Sequence, residues 1–134
     1  MRSDSHAPHP RVLFLAPVEP WCRESGSSLI IADLLHGLAR QRGAEILSIF
    51  LRRSPVVCGA TAPVGLSTSC LGVALLAKWE SVARSLVKRS TPMRYRFDNG
   101  DVVRRVEAEL RDRKFVPTVV HVEHLPLVDI GAAL

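Results

Sequence analysis

Two short stretches of this chain carry the side chains with chemical capacity. In the first, His121, Glu123 and His124 follow an apolar run, Thr118 to Val122 (TVVHV). On a strand, residues two apart share a face, so His121 and Glu123 point the same way while His124 lies opposite or already in the loop. An imidazole changes charge near neutral pH, which suits a general base or a hydrogen bond to a sugar hydroxyl. The same residues also fit a satisfied buried histidine with two solvated neighbours, and both readings stay open. With no further ligand cluster after His124, a metal site is not expected.

The second stretch is VEPWCRESGSS, Val18 to Ser28. Gly26 has the freedom to take positive φ and let a ligand approach the backbone, and Ser25, Ser27 and Ser28 place hydroxyls beside the start of a helix, where backbone N–H groups attract phosphate. An ordinary capped turn would use the same residues. Trp21, in the same loop, is placed either to stack on a sugar face or to pack the loop. Neither GxGxxG nor GxxxxGK[ST] is present, which excludes the usual dinucleotide and Walker signatures.

The elements that must position these residues alternate along the chain. Arg11 to Pro17 (RVLFLAP) is a short apolar run of the kind buried on both faces of a parallel sheet. Leu29, Ile30, Ile31, Leu34, Leu35 and Leu38 then recur at helical spacing, which predicts a helix over Ser27 to Arg42 closed by Gly43. Ala44 to Leu51 (AEILSIFL) is a second strand and completes a βαβ unit. Residues 52–69 read as loop around a short strand at Val56 to Ala60. Leu71, Leu75, Trp79, Val82 and Leu86 predict a helix over Leu71 to Lys88, its apolar stripe and Trp79 in the core and Lys78, Arg84 and Lys88 outside. Met93 to Phe97 reads as extended, and Asp98 and Asn99 as caps of a helix bearing Val103, Val106 and Leu110. TVVHV is the last strand. In such an open sheet, ligands bind beyond the carboxyl ends of the strands, so the two chemical stretches form facing walls of one cleft if the first and last strands are neighbours.

A chain of 134 residues with 47% hydrophobic content is sized for one domain with a real core. Residues 1–10 (MRSDSHAPHP) read as a disordered tail without the apolar centre of a signal peptide, and residues 11–134 as the domain. No run reaches the ~18 apolar residues of a membrane span. Three cysteines, Cys22, Cys58 and Cys70, form neither an even set nor a CxxC pair, which points to a reducing, cytoplasmic setting. The net charge of +5 leaves anionic partners open. Basic residues such as Arg52, Arg53, Arg104 and Arg105 lie among acidic ones without aromatic interleaving, so nucleic acid is not an expected partner. Most of them should be solvated, with Lys88 to Arg96 a place for peripheral contact with anionic lipid.

RVLFLAPVEPWCRESGSSLIIADLLHGLARQRGAEILSIFL and VVRRVEAELRDRKFVPTVVHVEHLPL together resemble the N-terminal, acceptor-side Rossmann-like domain of GT-B glycosyltransferases, the glycogen-synthase-like family-4 group. The resemblance spans Arg11 to Leu127. It implies an α/β fold with an open parallel sheet in three αβα layers and strand order 3-2-1-4. The implied reaction moves a sugar from a nucleotide-sugar donor, with no separate cofactor, to an acceptor hydroxyl on a glycan or lipid. By the same resemblance Ser25, Gly26 and Ser27 meet donor phosphate, His121 and Glu123 line the reacting centre, and Trp21 and His124 touch the acceptor. Where the family usually has a glycine pair this chain has Gly26 alone, and Thr118 stands where an aspartate often opens the strand.

Family members carry a second Rossmann-like domain that holds the donor. The resemblance therefore implies an incomplete first domain, inactive by itself, whose missing half is a C-terminal domain or a partner chain. The edge and apolar face of the last strand are expected to be open. A non-catalytic α/β module that pairs with another chain through that edge is the alternative.

Overall fold

RVLFLA forms β1 (Arg11–Ala16), whose last four side chains are buried. Burial on both faces requires cover above and below, which only a central strand receives. The structure is a computed structural model and describes residues 9–22, 26–41, 43–52, 62 and 64–134. The expected tail lies, up to residue 8, outside the described residues, as does the strand expected at Val56 to Ala60.

After β1 come α1 (Gly26–Ala39), β2 (Glu45–Arg52), β3 (Ser67–Gly72), α2 (Lys78–Lys88), α3 (Asn99–Asp112), β4 (Val119–Val122) and α4 (Val128–Ala133). The four strands pair in parallel in the order β3-β2-β1-β4. This is a Rossmann-like open sheet with helices on both faces. The order is the expected one, and among the described residues the third strand is Ser67–Gly72, over residues expected to end the loop and begin a helix. Leu13 pairs with Leu47 and Val120, and Phe14 with Ser48 and His121. Alternation then sends Leu13, Leu15, Leu47, Ile49 and Leu51 to the face covered by α3 and α4, and Phe14, Ala16 and Phe50 to the face covered by α1.

Three helical expectations change. α1 ends at Ala39, three residues early, and Gly43, at φ +90, makes the turn into β2 beside His9. The helix expected from Leu71 starts at Lys78, because Leu71 belongs to β3 and Leu75 bridges antiparallel to Phe97. Pro92–Tyr95 is a 3₁₀ turn rather than an extended piece, as a proline at its first position permits. α3 follows the reading from the sequence at most positions: Asp98 is its N-cap residue, though without a side-chain cap bond, and Val106 and Leu110 are buried as expected, while Val102 is the third buried position and Val103 is only half-buried.

Trp79 is not a core residue. It is 71% exposed, and the stripe Val82, Leu86 and Val87 is exposed with it. The buried side of α2 is made of Ser81 and Ser85, and the Ser81 hydroxyl donates to the Tyr95 carbonyl at 3.0 Å. Periodicity identified an amphipathic helix correctly but assigned its inward side to the wrong residues.

The open apolar face expected on the last strand is also corrected. α4 lies so close to β4 that a Cβ on Gly131 would overlap the Val122 side chain, and Val120 and Val122 join the core beneath it. At the opposite end, Arg105 donates to the Gly72 carbonyl, and Arg113 donates to the Ser67 hydroxyl at 3.0 Å and the Thr68 carbonyl at 3.3 Å. Arg105 of α3 and Arg113, just past its end, thus line the β3 edge with charge.

Candidate functional site at the carboxyl edge of the sheet

β4 lies beside β1, in register from Val12 with Val119 to Leu15 with Val122. The Thr118 hydroxyl sets the start of this pairing by accepting the Arg11 N–H at 2.9 Å, and the Glu123 N–H ends it on the Leu15 carbonyl at 2.9 Å. The carboxyl ends of β1 and β4 are therefore adjacent, where a parallel sheet presents ligand sites.

His121 Nε2 and Glu123 Oε1 are 2.9 Å apart, and both side chains are partly open to solvent. The imidazole stacks on Phe14, with ring centroids 4.8 Å apart and planes 13° from parallel. Phe14 is the cross-strand partner of His121 and is fully buried, so the ring rests on a rigid floor. An ionised carboxylate can only accept, so in this contact Nε2 carries the hydrogen, and in the neutral tautomer that this bond selects Nδ1 bears the lone pair. A carboxylate that orients a histidine in this way is a general-base arrangement.

His124 separates from this pair. It takes φ +78, a left-handed conformation uncommon for a residue with a Cβ, and lines a different space with Pro126. That space is an open pocket of about 460 Å³ bounded also by Pro17, Val18, Leu51 and Arg96. The exits of β1 and β4 meet in its wall, its lining is mostly apolar, and Arg96 brings one cation.

The other residues singled out in the β1–α1 loop stand as follows. Gly26 is the first residue of α1, exposed, with open space where a Cβ would be. It is not in the left-handed region, so the freedom it supplies is room at a helix N-terminus and not a turn. Ser27 is partly buried beside it and Ser28 is buried, while Ser25 lies outside the described residues. Gly26 and Ser27 do not line the pocket. Trp21 packs edge-on against His36 of α1 and Phe50 of β2, with centroids 5.9 and 6.2 Å away, which fastens the loop to the core under α1.

Glu19 and Arg52 were not recognised as site residues from the sequence. They form an ion pair of 3.2 Å at the ends of β1 and β2, with side chains only 14% and 16% exposed. Arg52 is therefore not the solvated cation its composition suggested. The available signal was its position as the residue ending a buried apolar strand. Cys70 lies against this pair, and burial first, then Glu19, raise its thiol pKa against an opposing effect of Arg52. The thiol stays protonated and is a poor nucleophile. Among the described residues, no group of three or more His, Cys, Asp and Glu is placed to hold a metal ion, and no helix is long and apolar enough to cross a membrane.

Fold and site together define a Rossmann-like α/β domain with a histidine–carboxylate pair at its carboxyl edge. Comparison with known protein families, with characterised proteins and with solved structures finds no match.

Proposed function

We propose that this chain is the acceptor-side domain of a GT-B sugar transferase. The observation that carries the reading is the His121–Glu123 pair, 2.9 Å apart and seated on Phe14 at the end of the strand next to β1. In this reading Glu123 orients His121, whose free nitrogen takes the proton of the acceptor hydroxyl as that oxygen attacks the anomeric carbon of the donor. The nucleoside diphosphate leaves with the electron pair of the broken C–O bond. The exposed start of α1 at Gly26 and Ser27 faces donor phosphate, and the Arg96–His124 pocket receives the acceptor. A complementary donor-holding domain completes the cleft, so residues 1–134 bind ligand without turnover.

The test is an NMR titration of isotope-labelled chain with UDP-glucose and with free monosaccharides. Amide and imidazole shifts should cluster at Gly26, Ser27, His121 and Glu123. They should persist weakened in Glu123→Gln and vanish at the strand end in His121→Ala. Saturating ligand that leaves these resonances unmoved, or turnover by the chain alone, would sink the reading.

A second reading rests on the outer edge of β4, which pairs with no strand among the described residues. As a strand-pairing module the chain would self-associate or capture a partner through that edge, and a proline at Val120 would abolish the association.

A further inference from the structure

Helix α2 departs from the rule followed by the other helices. Its turn-by-turn spacing places Trp79, Val82, Ala83, Leu86 and Val87 on one broad arc, and all five are exposed, with Leu86 at 75% and Val87 at 83%. The side turned inward holds Ser81, only 1% exposed, and Ser85. A free-standing surface helix in water has the opposite distribution. The arc is a continuous apolar ridge headed by a tryptophan, and no element of the described chain covers it.

The charge around the ridge says what covers it. Between residues 78 and 96 lie six cations, Lys78, Arg84, Lys88, Arg89, Arg94 and Arg96, and one carboxylate, Glu80. This stretch alone carries +5, the net charge of the whole chain; Arg94 is met by Asp129, and the other five cations still outnumber Glu80. Glu80 is occupied in accepting the Ala77 N–H at 3.1 Å, which caps the helix. A second copy of the chain would bring the same cations against these ones, and like charges oppose that pairing. An apolar ridge with tryptophan at its head and lysine and arginine along its sides matches a bilayer surface with anionic headgroups. The ridge enters the acyl boundary while the long basic side chains reach the phosphates.

We infer that α2 docks this domain on an anionic lipid surface through Trp79, Val82, Leu86 and Val87, with Lys78, Arg84, Lys88 and Arg89 meeting the headgroups. The helix is 11 residues long, so it lies in the interface and does not cross it. The 3₁₀ turn Pro92–Tyr95 packs against α2 and carries Met93, which also lines the 460 Å³ pocket. Docking through α2 therefore brings the carboxyl edge of the sheet close to the membrane. The inference stands whether or not His121 and Glu123 serve sugar transfer.

Flotation of the full chain with phosphatidylcholine vesicles containing about one-third phosphatidylglycerol tests it. Binding is expected on these vesicles, weak or absent binding on pure phosphatidylcholine, and loss at high salt. The double variant Leu86→Glu, Val87→Glu, with both sites exposed and its fold checked by circular dichroism, should lose at least about tenfold in partitioning. Lys88→Glu should lose about fivefold or more. Without any variant, Trp79 emission should shift to the blue on adding anionic vesicles, and the shift should disappear in Trp79→Phe. Absence of binding, binding indifferent to Leu86→Glu, Val87→Glu, or a solution dimer that this variant dissociates would each overturn the inference.

Discussion

Helices α2 and α3 have similar lengths and clear apolar stripes, yet they use them in opposite ways. α3 turns Val102, Val106 and Leu110 into the core and leaves its arginines outside to clasp β3. α2 turns two serines inward and its large apolar side chains outward. α3 is held by area removed from water. α2 is held by polar links: the Ser81 hydroxyl on Tyr95, the Leu75–Phe97 bridge before it, and the Arg94–Asp129 pair beyond it. An apolar stripe thus fixes the period of a helix, and not whether the stripe faces the helix's own core.

The contrast breaks most readily at Leu110. Leu110→Ala should lower stability by about 2–4 kcal/mol while Leu86→Ala changes it by less than about 0.5 kcal/mol, measured by urea denaturation. Equal effects would mean that α2 is buried after all. Next in size is Gly131, where α4 meets β4. Gly131→Ala sets a methyl against the stiff Val122 side chain and should cost about 1–3 kcal/mol by the same assay.

A smaller effect of opposite sign is expected at Ser48, buried in β2 with a hydroxyl that has no hydrogen-bond partner among the described residues. Ser48→Ala should be neutral or stabilising by up to about 1 kcal/mol, because an unpaired polar atom leaves the core. The least effect belongs to the Arg94–Asp129 pair. The hydrogen bond from Arg94, then its charge, hold the Asp129 carboxyl below its ordinary pKa. A depressed carboxylate stabilises above its unfolded-state pKa and loses that contribution as pH falls through the folded-state value. Asp129→Asn should therefore melt slightly below the wild type at neutral pH and together with it near about pH 2.

β1, β2 and β4 were legible because strands covered on both faces, or seated on a core, need continuous apolar residues, and RVLFLA, EILSIFLR and VVHV supply them. β3 was not, since STSCLG is half polar and lies at an edge where arginines from residues 105 and 113 satisfy it. No local pattern announces a strand stabilised from that far along the chain. The direction of α2 was illegible for a related reason: the spacing of Trp79, Val82 and Leu86 describes the stripe and is silent on what it faces. At the site, the spacing of two between His121 and Glu123 was sufficient to pair them. Their parting from His124 depends on one residue at positive φ, a backbone choice uncommon outside glycine that no spacing announces.

The arginines that occupy the β3 carbonyls leave the sheet with a direction. Strand-to-strand growth at that end meets fixed positive charge and spent acceptors, so any added strand has to join at β4. Two copies joined β4 to β4 by a two-fold axis close on themselves and offer no second edge of the same kind. A pairing of that kind would stop at two copies and would not extend into a fibre.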